Sequence, residues 1–132
     1  MSKEDCEETF GRVVLAINSS ETGVDGILGF SQGGYATYNF FSCLERGLFE
    51  GTLDSAKAPY FAILVNSMPK EGFHQNSVPS LHFLGELDTA FTAPHLMLTK
   101  FKLPKFLLFP EAHKLPEPTL KVRNSLRDFL NS

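Results

Sequence analysis

Five consecutive residues, Gly29-Phe30-Ser31-Gln32-Gly33, have the spacing in which a serine hydroxyl can act as a nucleophile. In a G-x-S-x-G run the serine sits on a sharp, strained turn between a strand and a helix. The flanking glycines keep neighbouring backbone clear of it. Such a turn exposes Oγ and leaves the next backbone N–H, that of Gln32, at a helix N-terminus, where it can receive a developing oxyanion. The pattern also occurs by chance as a plain glycine-rich turn, so its context decides. Before it, Val24–Phe30 is a short apolar run bounded by turn formers, as expected of a buried strand. After it, Ala36, Phe40, Cys43 and Leu44 recur at helical spacing, with Gly47 placed to end the helix in the left-handed conformation.

A serine hydroxyl at its ordinary pKa is a weak nucleophile, so a base must take its proton and an acid must orient that base. Four histidines are available. His82 lies within an apolar run, as a core histidine would, and His95 follows Pro94 on a surface helix. His74 comes on the loop after the second strand and is the reserve candidate. His113, on the Pro110–Pro116 loop after the last strand, is the favoured base. Among acids, Asp25 precedes its strand and Asp54 follows a helix. Asp88 comes directly after a strand in Gly85-Glu86-Leu87-Asp88 and is preferred to its neighbour Glu86. Ser31, Asp88 and His113 then follow the chain order serine, acid, histidine that accompanies this turn.

The elements that must position these side chains follow the same alternation. Cys6, Phe10, Val13, Val14 and Ile17 predict a helix over about residues 3–17, with Ser2 and Asp5 spaced as a cap. Further buried strands are predicted at Tyr60–Val65, Leu81–Leu84 and Phe106–Phe109. Thr92 and Pro94 open a helix running through Met97 and Phe101. Val122, Leu126, Phe129 and Leu130 mark a terminal amphipathic helix, and a short helix between the second and third strands is a further expectation. The order α-β-α-β-α-β-α-β-α, with apolar strands, implies one α/β domain over residues 1–132: a three-layer α/β/α arrangement around a mainly parallel sheet. In such sheets ligands bind outside the carboxyl ends of the strands, where Ser31, Asp88 and His113 all fall.

Composition narrows the alternatives. The 132 residues are 42% hydrophobic and 20% charged, with a mean hydropathy of -0.07, which disfavours a disordered chain. The net charge of -3 offers no footprint for nucleic acid. Charge is uneven, with two basic and six acidic residues over 1–30 against seven and three over 100–132, a pattern read as solvated helix faces. No apolar run is long enough to span a membrane. No phosphate-binding loop, dinucleotide motif or metal-ligand spacing occurs, so neither cofactor nor metal is expected. Cys6 and Cys43 have no metal or redox spacing and read as two separate buried thiols. With the acidic N-terminus, they suggest a reducing, cytoplasmic setting.

Three segments carry a family resemblance: Gly26-Ile27-Leu28-Gly29-Phe30-Ser31-Gln32-Gly33-Gly34, Pro79-Ser80-Leu81-His82-Phe83-Leu84-Gly85-Glu86-Leu87-Asp88, and Glu111-Ala112-His113-Lys114-Leu115-Pro116. Together they resemble the FSH family of small serine hydrolases, within the α/β-hydrolase superfamily. The first segment alone is also similar to acyl-protein thioesterases and small carboxylesterases, whereas the other two favour FSH. The resemblance implies hydrolysis of a small-molecule carboxylic ester or thioester, with Ser31 as nucleophile, Asp88 as orienting acid and His113 as general base. Two departures accompany it. Ala112 stands where the family usually has glycine. Only 25 residues precede Gly26, so the early strands, and the loop that supplies a second oxyanion donor, have no counterpart. The chain is therefore expected to hold a truncated α/β-hydrolase fold whose first strand lies at an exposed edge, open to homodimer pairing. The competing expectation is a catalytically impaired fragment that serves as an interaction module. Phe91, Leu115 and Met68 lie near the site in sequence, placed either to line an acyl pocket or simply to pack.

Overall fold

The computed structural model of the chain describes residues 1–67, 74–89 and 94–132. Helix α1 (Lys3–Ser19) begins as the Ser2/Asp5 spacing predicts. Ser2 Oγ accepts from the Asp5 N–H at 3.1 Å and Asp5 Oδ2 accepts from the Ser2 N–H at 3.2 Å, a reciprocal cap. Strand β1 (Gly26–Phe30), helix α2 (Gln32–Glu45), and strands β2 (Phe61–Val65), β3 (Ser80–Gly85) and β4 (Pro104–Phe109) follow, then helix α3 (Leu120–Leu130). Gly47 adopts a φ of 74° just past α2, as a helix-ending glycine does.

The four strands are all parallel, in spatial order β1-β2-β3-β4. Because side chains alternate along a strand, each strand supplies both faces. Ala62 and Leu64 join Cys6, Phe10, Phe40, Met97 and Phe101 under α1, α2 and the Pro94–Lys100 segment. Ile63, Val65, Leu81, Phe83 and Phe109 pack beneath α3 against Val122 and Phe129. The three-layer α/β/α arrangement is thus the one expected. Strands β2 and β3 are almost wholly buried, and the site grows from their carboxyl ends.

Three expectations are revised. Cys6 and Cys43 are one disulfide, with Cα atoms 6.3 Å apart, because the apolar stripes of α1 and α2 face each other at those positions. Disulfides persist mainly in oxidising compartments, so the cysteines lend no support to a cytoplasmic setting. Pro94–Lys100 is a 3-10 helix rather than an α-helix, and Thr92 lies outside the described residues. Strand β4 starts two residues early, at Pro104, and is not buried on both faces: Phe106 is 58% and Leu108 45% exposed at the sheet edge. The short helix expected between β2 and β3 falls largely on residues outside those described, as do Met68 and Phe91. Strand β1 pairs only with β2 among the described residues, and its Leu28 is exposed.

Candidate active site

Ser31 occupies the one-residue turn between β1 and α2, at φ 57° and ψ -118°. A non-glycine residue holds such a left-handed φ only when its surroundings enforce it. Two contacts do so here. The Ser31 N–H donates to the Val65 carbonyl of β2 at 3.0 Å, and the Ser31 carbonyl accepts from the Gly34 N–H at 3.0 Å. Glycine is needed at two neighbours, though not the two expected. A Cβ on Gly29 would collide with the Gly33 carbonyl and the Thr37 hydroxyl. Gly33, the second glycine of the motif, faces open space, and it is Gly34 whose Cβ would strike Ser67. Gln32 is the first residue of α2, so its N–H is one of the helix's unpaired N-terminal donors, beside Ser31.

His113 lies on the loop between β4 and α3, and Asp88 just beyond β3. His113 Nε2 is 2.9 Å from Ser31 Oγ and His113 Nδ1 is 2.7 Å from Asp88 Oδ2. The Asp88 side chain is 1% exposed, the imidazole 30%. A carboxylate can only accept, so Nδ1 is the donor of that pair, and in a neutral imidazole Nε2 accepts from the serine hydroxyl. The Phe30 ring lies against the imidazole with centroids 5.0 Å apart, limiting its rotation. The three sequence-predicted side chains thus meet in one hydrogen-bonded run, reached from three different loops. The run can take a proton from Ser31 and hold the resulting imidazolium against a buried negative charge.

The other candidates lie elsewhere. His74 pairs with Glu45 at 2.8 Å, at the far end of α2 and about 20 Å along that helix from Ser31. It is therefore not at the serine end of the sheet, as its position after β2 suggested. His82 is buried within β3, bonded to Ser80 Oγ at 2.8 Å, and burial alone lowers its pKa to about 4. His95, Glu86 and Asp25 are exposed, and Asp54 caps the Ser55–Lys57 turn. Leu115, two residues past His113, is 53% exposed. Among the described residues no cluster of side chains is arranged to hold a metal ion.

One functional candidate escaped the sequence reading. Asn66, directly after β2, is fully buried at φ 49°, and its amide bonds to the loop carrying His113 and to the last residue of β3, three before Asp88. A lone polar residue closing the run Phe61–Val65, of a type that tolerates left-handed backbone, is the only signal that could have flagged it.

A search of curated proteins finds no match. Solved structures share the fold, among them the following two. Acyl-protein thioesterase 2 of Zea mays superposes with a TM-score of 0.68 at 12% identity, covering 98% of this chain and 64% of the thioesterase. RedJ, solved with a PEG molecule bound in the active site, superposes with a TM-score of 0.61 at 12% identity, covering 96% of this chain and 69% of its own. The chain therefore spans less than two thirds of the thioesterase's length. At these identities the likeness is one of α/β fold. Sequence carries the family assignment: the model of the serine hydrolase (FSH1) family matches residues 1–124. Through that match, which takes in the serine turn, the Asp88 loop and the His113 loop, the chain belongs to the serine hydrolase (FSH1) family.

Proposed function

We propose that this chain hydrolyses carboxylic esters or thioesters of small molecules through an acyl-enzyme intermediate. Ser31 Oγ attacks the acyl carbonyl while His113 Nε2 takes its proton. Asp88 holds the imidazole in the Nδ1–H tautomer and stabilises the imidazolium. The Gln32 N–H receives charge as the carbonyl oxygen becomes an oxyanion. His113 then returns the proton to the departing alkoxide or thiolate. In the second half-reaction it deprotonates a water molecule, whose oxygen attacks the acyl carbon and releases the acid.

The observation that carries this reading is the Ser31–His113–Asp88 run at 2.9 and 2.7 Å on a strained serine turn. These distances suit a serine that donates to Nε2 and an Nδ1–H that donates to Asp88. A second reading, an interaction module, draws on the edge at β1, which pairs only with β2 among the described residues and leaves Leu28 exposed. Such a module could pair with a second copy of itself through that edge.

Hydrolysis of p-nitrophenyl butyrate by wild type, Ser31→Ala and His113→Ala separates the two readings. The hydrolase reading expects turnover in the wild type and its loss in both variants, with circular dichroism unchanged. A folded wild type without turnover would favour the module.

A further inference from the structure

The end of β3 and the loop after β4, which lead to Asp88 and His113, meet on one residue that touches none of the reacting atoms. Asn66 has no exposed surface. Its Oδ1 accepts from the Gly85 N–H at 2.7 Å, and its Nδ2 donates to the Ala112 carbonyl at 3.2 Å and the Lys114 carbonyl at 2.9 Å. Ala112 and Lys114 are the residues on either side of His113. Gly85 is the last residue of β3, and its own carbonyl accepts from the Asp88 N–H at 3.1 Å.

The backbone of the same segment extends the junction. Asn66 donates its N–H to the Phe83 carbonyl at 3.0 Å, and the preceding Val65 carbonyl accepts from the Ser31 N–H at 3.0 Å. The following Ser67 fills the space against Gly34 of the serine helix. Gly85 reports the same closeness from the opposite side: a Cβ there would lie 2.6 Å from the Glu111 and Ala112 carbonyls. The loop carrying His113 is thus drawn down onto the ends of β2 and β3, and Asn66 supplies the only side-chain amide at that seam among the described residues.

We infer that Asn66 is a positioning residue that sets the height of the His113 imidazole between Ser31 and Asp88; this deepens, and rests on, the hydrolase reading above. The chemistry restricts the residue type. One planar group must offer two N–H donors to two carbonyls and one acceptor to an amide, from a backbone at φ 49°. Asparagine meets all three demands. Aspartate keeps the acceptor but turns a carboxylate oxygen toward two carbonyl oxygens, which repels the segment on both sides of His113. Misplacement of a reacting group by about 1 Å can cost a hundredfold in rate. Repulsion at Ala112 and Lys114 acts on His113 with little leverage on substrate binding.

The test compares wild type, Asn66→Asp and Asn66→Ser, with Leu53→Ala as a remote core change that also lowers Tm. Read-outs are kcat and KM for p-nitrophenyl butyrate, and the downfield proton resonance of the His113 Nδ1–H shared with Asp88. Expected for Asn66→Asp is a kcat loss of about ten- to a hundredfold, a KM changed less than about threefold, and a shifted or broadened resonance. Asn66→Ser, which keeps one hydroxyl donor, should fall between it and wild type. Leu53→Ala should keep both kcat and the resonance at temperatures where it is folded. If Asn66→Asp does not fold, Asn66→Ser alone decides the matter by the same two read-outs. Wild-type kcat and resonance in folded Asn66 variants would overturn the positioning role while leaving the hydrolase reading intact. Inactive wild type would instead overturn the reading on which it rests.

Discussion

The sharpest consequence of the site geometry concerns one atom of Asp88. Its carboxylate is buried and accepts from His113 Nδ1 at 2.7 Å. Asp88→Asn preserves size and shape but allows an N–H to face Nδ1. The imidazole then moves its proton to Nε2, where it blocks rather than accepts the Ser31 hydroxyl. Across the 2.9 Å contact Nε2–H then donates to Oγ, and no lone pair faces the serine proton. Loss of the correct tautomer in a serine–histidine–acid site costs about 10⁴ in kcat, or about 5.4 kcal/mol of transition-state stabilisation. A stopped-flow assay of p-nitrophenol release, with pre-steady-state acylation resolved from turnover, measures this directly. The defect should appear in acylation, with KM little changed. The exposed neighbour Glu86 supplies the control, since Glu86→Gln should leave kcat within about twofold. A loss below about tenfold in folded Asp88→Asn would show that Asp88 does not orient the base.

Two further outcomes concern stability. Burial holds His82 neutral, with a pKa of about 4 against 6.5 when unfolded. The unfolded chain therefore binds the extra proton between those values, and stability falls as pH drops from 6.5 toward 4. At about 1.4 kcal/mol per pH unit the loss approaches about 3 kcal/mol. Urea midpoints at pH 7 and 4.5 should show it, and His82→Leu should lose markedly less over the same interval; equal losses would contradict the assignment. Separately, the Cys6–Cys43 link closes a loop of 37 residues in sequence separation. Its removal by reduction or Cys43→Ser should cost about 4 kcal/mol on the loop-entropy account, lowering Tm by roughly 15 °C. A Tm indifferent to dithiothreitol would refute the link.

Much of the site was legible because its signals are local. Ser31 is announced by the strand before it, the helix after it and the glycines around it. Asp88 and His113 each follow an apolar run, so the rule that places ligands at strand carboxyl ends selects them without knowledge of tertiary contacts. What stayed hidden depends on relations between elements. No local pattern says that Cys6 on α1 meets Cys43 on α2, because that depends on how two helices roll against each other. The same holds for Gly33 and Gly34. The motif favours the first, whereas the choice rests on where Ser67, two residues past β2, arrives. His74 follows β2, yet its pairing with Glu45 holds it at the other end of α2. Phe106 and Leu108 read as core residues because an apolar run does not distinguish an edge strand from a central one. Asn66 is the clearest case: its role consists of hydrogen bonds to residues 19, 46 and 48 positions away.

If its position makes Ser31 nucleophilic, covalent capture will reveal it. The intact chain is incubated with a fluorophosphonate, digested and mapped by tandem mass spectrometry, alongside Ser31→Ala. The expected result is a single phosphonyl adduct on the peptide containing Ser31, absent from the variant. An unmodified wild type, or an adduct that persists in Ser31→Ala, would contradict it.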